Sequence, residues 1–392
     1  MNVIDGQAGL VRYSSLICYS PTINNILNII ILLILAGISI SALTNTGIFQ
    51  KAKDAKQKSN DATLDQNTKL DSYENEIDNY LPKQNSNKTV EQAKEKVLST
   101  EKNIELVDAK ENKIVIPAGF KIIGDATTVD KGIVIEDATV DSNGNATPTN
   151  GSQFVWVPVG KITKADGTKT EIKLNRYTFA SDGKPTEQNE DVIETYCQEL
   201  ATSDKGNTVA KNITNFKNSV KENGGYYIGR YEARKNTTSG KLTEVNSDSV
   251  WNNITQPDAA TQARNMYDEQ QPFTSDLMNS YAWDTAITFI QKCTDKTNYA
   301  NQKRLNTSFS STGTTNDNPC NIFDMASNVR EWTTETSTNY PCVVRGGGYD
   351  YSNRYASSRD YDITSYSKEL RRFSSTFIFV ELDAQAVICS YN

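Results

Sequence analysis

The hydrophobic pattern divides the chain into one continuous apolar run, a polar stretch, and a long region of short alternating segments. The run covers residues 26–43 and reads ILNIIILLILAGISISAL. Its eighteen residues at about 1.5 Å each span about 27 Å, close to the roughly 30 Å hydrocarbon thickness of a bilayer. Every face is apolar, which predicts a membrane helix over 22–44 rather than a buried core helix. No small-residue cleavage site precedes the charged segment that follows, so the run does not read as a cleaved signal peptide, and residues 1–21 stand as a leader.

Residues 45–103 are polar and predict a helical stalk or linker, with Leu70, Tyr73, Ile77 and Tyr80 on one helical stripe. Thr89 and Gln92 have capping-box spacing ahead of a short helix carrying Val90, Ala93 and Val97. A globular region is predicted for 104–392. Short strands are expected at 113–120, 132–136, 153–160 and 226–233, and also at 376–382. Apolar stripes predict helices around 192–200, 209–220 and 282–293, the second ended by Gly224-Gly225. Residues 235–275 read as a long polar excursion. Few helices among many short strands and long loops define an α+β domain.

Composition narrows the function. Net charge is −7 and the pI is near 5.0, so there is no basic field for nucleic acid. Histidine is absent, which removes Ser-His-Asp and Cys-His catalysis and histidine-ligated zinc. The six cysteines contain no Cys-x-x-Cys pair, which excludes zinc ribbons and thioredoxin-like motifs and leaves mainly buried thiols. Lys51, Lys53, Lys56 and Lys58 follow the apolar run and by charge count would keep the carboxy-terminal side inside. The polar, turn-rich domain downstream instead predicts an extracellular position.

The most informative stretch runs from Cys320 to Tyr361. Its first half contains NIFDMASNVREWTTE and its second VVRGGGYDYS. With FVWVPVGK, GGYYIGRYEA and SYAWDTAITFIQK, in this order over roughly residues 105–375, these motifs resemble the formylglycine-generating enzyme or sulfatase-modifying factor family. The resemblance implies a C-type-lectin-like fold in which Trp332 plugs the core. It also implies that Arg345 anchors a turn through charge-assisted bonds and that Gly346–Gly348 permit close backbone packing. A calcium ion held by Asp324 and Glu331 as carboxylates, with Ser327 and Val329 as carbonyls, is implied as well. The family's copper chemistry needs two cysteines shortly after the Arg-Gly-Gly turn, where soft thiolates hold Cu(I). Residues 349–357 contain none, so no catalytic residue is assigned.

In place of the cysteines the chain carries a segment rich in Tyr, Ser, Asn, Asp and Arg. The candidate binding residues are Tyr349, Asp350, Tyr351, Asn353, Arg354, Tyr355, Asp360, Tyr361 and Tyr366. That composition is the one used by paratopes, rigid amphipathic rings beside small polar groups. It resembles the variable region of receptors diversified by retroelements. The apolar helix and its flank are similar to those of type IV pilin-like proteins, although the usual processing motif is missing. The expectation is a membrane-anchored, surface-displayed, non-catalytic binder of a protein or glycan. A divergent sulfatase-modifying enzyme and a structural minor pilin are the alternatives.

Overall fold

The computed structural model describes residues 88–142, 145–188, 213–335 apart from 241, 247–248 and 268–270, then 342–362, 371–372 and 376–380, with Lys58. The expected membrane helix, most of the stalk, the helix around 192–200 and Tyr366 lie outside them. Among the described residues no helix is long and apolar enough to cross a membrane.

Among the described residues, burial in the core already starts at Val90, ahead of Ile104. The reason is local. Thr89 and Gln92 close the capping box of the one-turn helix Val90–Ala93, whose Val90 and Ala93 are fully buried in the core. Backbone bridges then tie Thr89 to Val107 and Lys94 to Ile122.

One antiparallel sheet organises the domain. Its strands are β1 (Phe120–Ile123), β2 (Val134–Val140), β3 (Ala146–Pro158), β4 (Gly225–Gly229), β5 (Phe273–Leu277) and, much later, β10 (Thr376–Val380). The order across the sheet is β5-β10-β4-β3-β2-β1. Strand β10 therefore sits inside the sheet, between β5 and β4. In β3, consecutive residues Phe154, Val155, Trp156 and Val157 are all buried, so both faces of the sheet are covered there. A second sheet of four short strands comprises β6 (Arg330–Trp332), β7 (Cys342–Arg345), β8 (Arg359–Asp362) and β9 (Arg371–Arg372), in the order β8-β7-β6-β9. This is an α+β fold.

Three helices of eight residues or more complete the described part: α1 (Ile213–Asn223), α2 (Gln256–Arg264) and α3 (Ser280–Cys293). Helix α3 is buried on nearly every side and is N-capped by Asn279, which accepts from the Ala282 amide at 2.9 Å. The tyrosine of β4, Tyr226, donates to the Ala282 carbonyl at 2.6 Å and fastens α3 to the main sheet. The expected excursion over 235–275 contains α2 and the start of β5. Helix α2 carries no large apolar residue; its inner face is Ala259, Ala260 and Ala263, and Thr255 caps it. The expected strand over 113–120 splits at Pro117–Gly119, with Lys113–Ile116 forming a hairpin with Ile104–Val107.

The turn after β7 holds the two sheets' loops together by close approach. Gly346 adopts φ +82°, and a Cβ on Gly347 would stand 1.9 Å from the Ala326 carbonyl oxygen. Trp332 is fully buried and donates its indole N–H to the Ile254 carbonyl at 2.9 Å, as a core plug should. Gly347→Ala is expected to lower stability by about 2–3 kcal/mol through overpacking against backbone. A Cβ on Gly348 would meet the Asp350 carboxylate at 3.0 Å and Arg330 at 3.4 Å and beyond, none of them as close as the backbone at Gly347, so Gly348→Ala is expected to cost far less. Denaturant unfolding of both variants distinguishes the two.

Candidate functional site

The site is the loop between β7 and β8, residues 346–358, and its construction starts at a buried charge cluster. Arg345, fully buried, donates from Nη2 to Asp284 Oδ1 at 2.6 Å, from Nη1 to Glu335 Oε2 at 2.9 Å and from Nε to the Ser358 carbonyl at 3.1 Å. Arg359 stands opposite it in the β7–β8 register and binds the same two carboxylates, Glu335 at 2.8 Å and Asp284. Arg176 adds a third guanidinium to Glu335. Burial alone would raise the Glu335 carboxyl pKa. The guanidiniums of Arg359, Arg345 and Arg176 outweigh it and bring the carboxyl down to about 2. The expected anchoring role of Arg345 is what the geometry shows.

Both ends of the loop are then pinned by backbone bonds. Tyr349 N donates to Asn328 O at 2.8 Å, Ala356 N to Gln302 O at 3.2 Å, and Ser357 N to Ala300 O at 3.0 Å. The Trp283 indole on α3 donates to the Ala356 carbonyl at 2.9 Å, and Ala356 is fully buried. Between these pins the tip, Tyr351, Ser352 and Asn353, is exposed, Tyr351 to 37%. The Tyr351 ring lies 4.1 Å from the Arg330 guanidinium, which holds it upright.

The expected binding residues separate into two groups. Tyr349, Asp350, Tyr351, Asn353, Arg354 and Tyr355 lie on this loop with partly or fully exposed side chains. Asp360 does not present a free carboxylate: one oxygen accepts from Arg330 Nη1 at 2.9 Å and Arg354 Nε at 2.7 Å. It is a brace beneath the loop. Tyr361 contributes backbone to β8, paired with Val343, and Tyr366 is outside the described residues.

A neighbouring loop that the sequence reading passed over completes the surface. Arg304 donates to the Tyr349 carbonyl, Lys303 Nζ stands 5.8 Å above the Tyr355 ring, and the Phe309 ring lies 6.1 Å from that of Tyr349. Leu305 and Phe309 are exposed to 48% and 39%. A shallow cavity of 480 Å³, lined by polar residues such as Lys296, Asn298 and Gln302, opens beside Lys303. The available signal was two isolated apolar residues, Leu305 and Phe309, inside the otherwise polar NQKRLNTSFSSTGTTND run.

Of the implied calcium set, Asp324, Ser327 and Val329 lie on the turn before β6, and Glu331 lies in β6 itself. Asp324 is fully buried at φ +66°; Thr315 donates to its Oδ1, and Oδ2 is buried without a hydrogen-bond partner. Burial pushes its carboxyl up to about 7. Ser327 Oγ accepts from Leu305 N at 3.0 Å, and Val329 N donates to Glu232 Oε1 at 3.1 Å. Glu331 pairs with Arg345 in the β6–β7 register. Glu232, whose carboxyl is raised by burial and by the nearby charges of Asp324 and Glu331, is a further buried acid here that the sequence reading did not include. Among the described residues, no three acidic or cysteine side chains converge where one ion could bind all of them. Cys342 is buried in β7 and its thiol is pushed up to about 12 by burial, the opposite of a poised metal thiolate.

Residues 251–372 match the family model of the sulfatase-modifying factor enzyme 1-like domain, a narrower span than the 105–375 expected from the motifs. No curated protein matches the chain. Among solved structures, the Major Tropism Determinant I1 Variant aligns with 76% of this chain and 98% of its own at 11% identity and a TM-score of 0.28.

A pH dependence follows from Asp324. Its folded-state pKa of about 7 lies above the usual 3.8. The stabilising effect of its bound proton is therefore complete below that ordinary value and is lost as pH rises toward 7. Melting curves in chelator from pH 5 to pH 8 should show a decline that is visibly flatter in Asp324→Asn. Equal slopes in the two proteins would contradict the assignment.

The residues similar to the sulfatase-modifying factor enzyme 1-like domain run from Trp251, ahead of α2, through the anchored turn to β9.

Proposed function

We propose that this protein is a non-catalytic receptor, displayed outside the cell by its amino-terminal apolar helix, that binds a macromolecular ligand through the 349–355 loop on a lectin-type platform. One observation carries the reading. The loop is clamped at both ends by buried groups, while its tip side chains turn to solvent beside the exposed Leu305 and Phe309. Such a rigid base under exposed rings keeps the entropic cost of binding low. Isolated loops of drifting sequence have no need of a five-residue ionic anchor.

The same reading explains why the position of the family's metal chemistry is occupied by Tyr349–Tyr355. The diversified-receptor resemblance rests on that composition. Calcium is the cofactor the turn beneath would take, with Asp324 and Glu331 supplying charge and the Ser327 and Val329 carbonyls supplying neutral oxygen. Its contribution would be to neutralise buried carboxylates and stiffen the turn.

Two measurements test the proposal together. On a glycan and peptide array, the full chain in detergent should give signals that fall about ten-fold or more in Tyr349→Ala/Tyr351→Ala, with an unchanged melting temperature. Incubated with copper and oxygen, it should leave a cysteine-containing peptide unoxidised. Formation of an aldehyde on that peptide would replace the receptor reading with a modifying enzyme.

A further inference from the structure

Among the described residues four large apolar side chains are strongly exposed, and three of them, Leu305, Phe309 and Tyr351, lie on the surface formed by the 303–310 and 349–355 loops. Clustering of this kind marks an interaction patch rather than the scattered exposure usual on soluble proteins. The charge around the patch has a sign. Buried Arg330 and half-exposed Arg354 share the single carboxylate of Asp360, Lys303 and Arg304 stand on the adjoining loop, and Asp350 lies on the 349–355 loop itself. Four cations to two acids leave an excess of two positive charges, within a chain whose net charge is −7.

We infer that the occupant of this surface is an acidic polypeptide segment that carries apolar side chains. The inference rests on the receptor reading above and specifies its ligand. The positive island within an acidic molecule selects an anionic partner and is repelled only by the same island on another copy. The apolar groups choose among anions. A tyrosine ring can stack on a sugar face as readily as on a peptide side chain. Leu305, exposed to 48%, offers a sugar neither a flat ring nor a hydrogen bond. Its burial is favourable only against apolar side chains, which polypeptides supply and acidic glycans do not. Beside it, Phe309 and Tyr351 fit as aromatic anchors for such a segment, and the polar cavity next to Lys303 gives its flank hydrogen-bonding groups.

The test pans a random-peptide phage library against the full chain in detergent, with a heparin oligosaccharide titrated in parallel. Enriched peptides are expected to carry net negative charge together with Leu, Phe or Trp. Their binding should weaken with salt and fall about ten-fold or more in Phe309→Ala/Tyr351→Ala. Lys303→Glu, an exposed charge reversal that leaves the apolar patch intact, should shift the enriched pool toward neutral charge. Enrichment without acidic bias, or enrichment that survives the double substitution, overturns the inference. If the oligosaccharide binds and is lost in the double variant while no peptide is enriched, the polypeptide assignment fails and the receptor reading stands. If neither probe binds through these residues, both fail.

Discussion

Everything in this domain that reaches solvent in an organised way depends on the contact between Arg345 and its two carboxylates. Asp284 comes from helix α3, Glu335 from the segment just after β6, Arg359 from β8, and Arg176 from the loop before the Tyr177–Phe179 strand. Two arginines facing each other across neighbouring strands would repel. The paired carboxylates convert that repulsion into a lock. Removal of either acid would leave buried guanidinium charge uncompensated, which costs about 3–5 kcal/mol in comparable settings. A buried ion network is not in itself a strong source of net stability. What it fixes is geometry, because a guanidinium fork satisfies carboxylates only in a narrow range of orientations. Here the geometry it fixes is the path of the chain out of β7 and back into β8.

That constraint explains why the surface loop is presented as it is. Arg345 also holds the Ser358 carbonyl, and Trp283 holds that of Ala356, so the returning limb is set before any loop side chain has a role. Gly346 and Gly347 set the outgoing limb by packing backbone against the Met325–Ala326 segment. Between them the tip is free of structural duty, apart from the stacking of Tyr351 on Arg330. Scaffold and surface are thus separated by a few residues within one continuous segment.

The anchors of this arrangement were legible in the sequence because they lie within the motifs that carry the family resemblance. Trp332, Arg345 and the three glycines occupy positions whose residue types have few other uses. The carboxylates that hold Arg345 were not legible: Asp284 and Glu335 are ordinary acids in sequence, and only the fold brings them together. Likewise Asp360 looked like a surface acid because its composition matched the loop, whereas its partner Arg330 lies thirty positions earlier. Helix α2 escaped because alanine gives a weak apolar stripe, and Leu305 and Phe309 because a single apolar residue in a polar run shows no periodicity. Strand β10 was readable as a strand, but its place inside the main sheet is a matter of topology that no local pattern encodes.

The central claim is that one short segment holds an invariant anchor and a replaceable surface. A saturation scan of 345–360, with Asp284 and Glu335, scored by folded display on a cell surface, tests it most directly. The account predicts that Asp284, Glu335, Arg345, Gly347 and Arg359 accept almost no substitution, whereas Ser352 and Asn353 accept most and Tyr351 many. Intolerance at 351–353 equal to that at Arg345, or free replacement of Arg345, would contradict it.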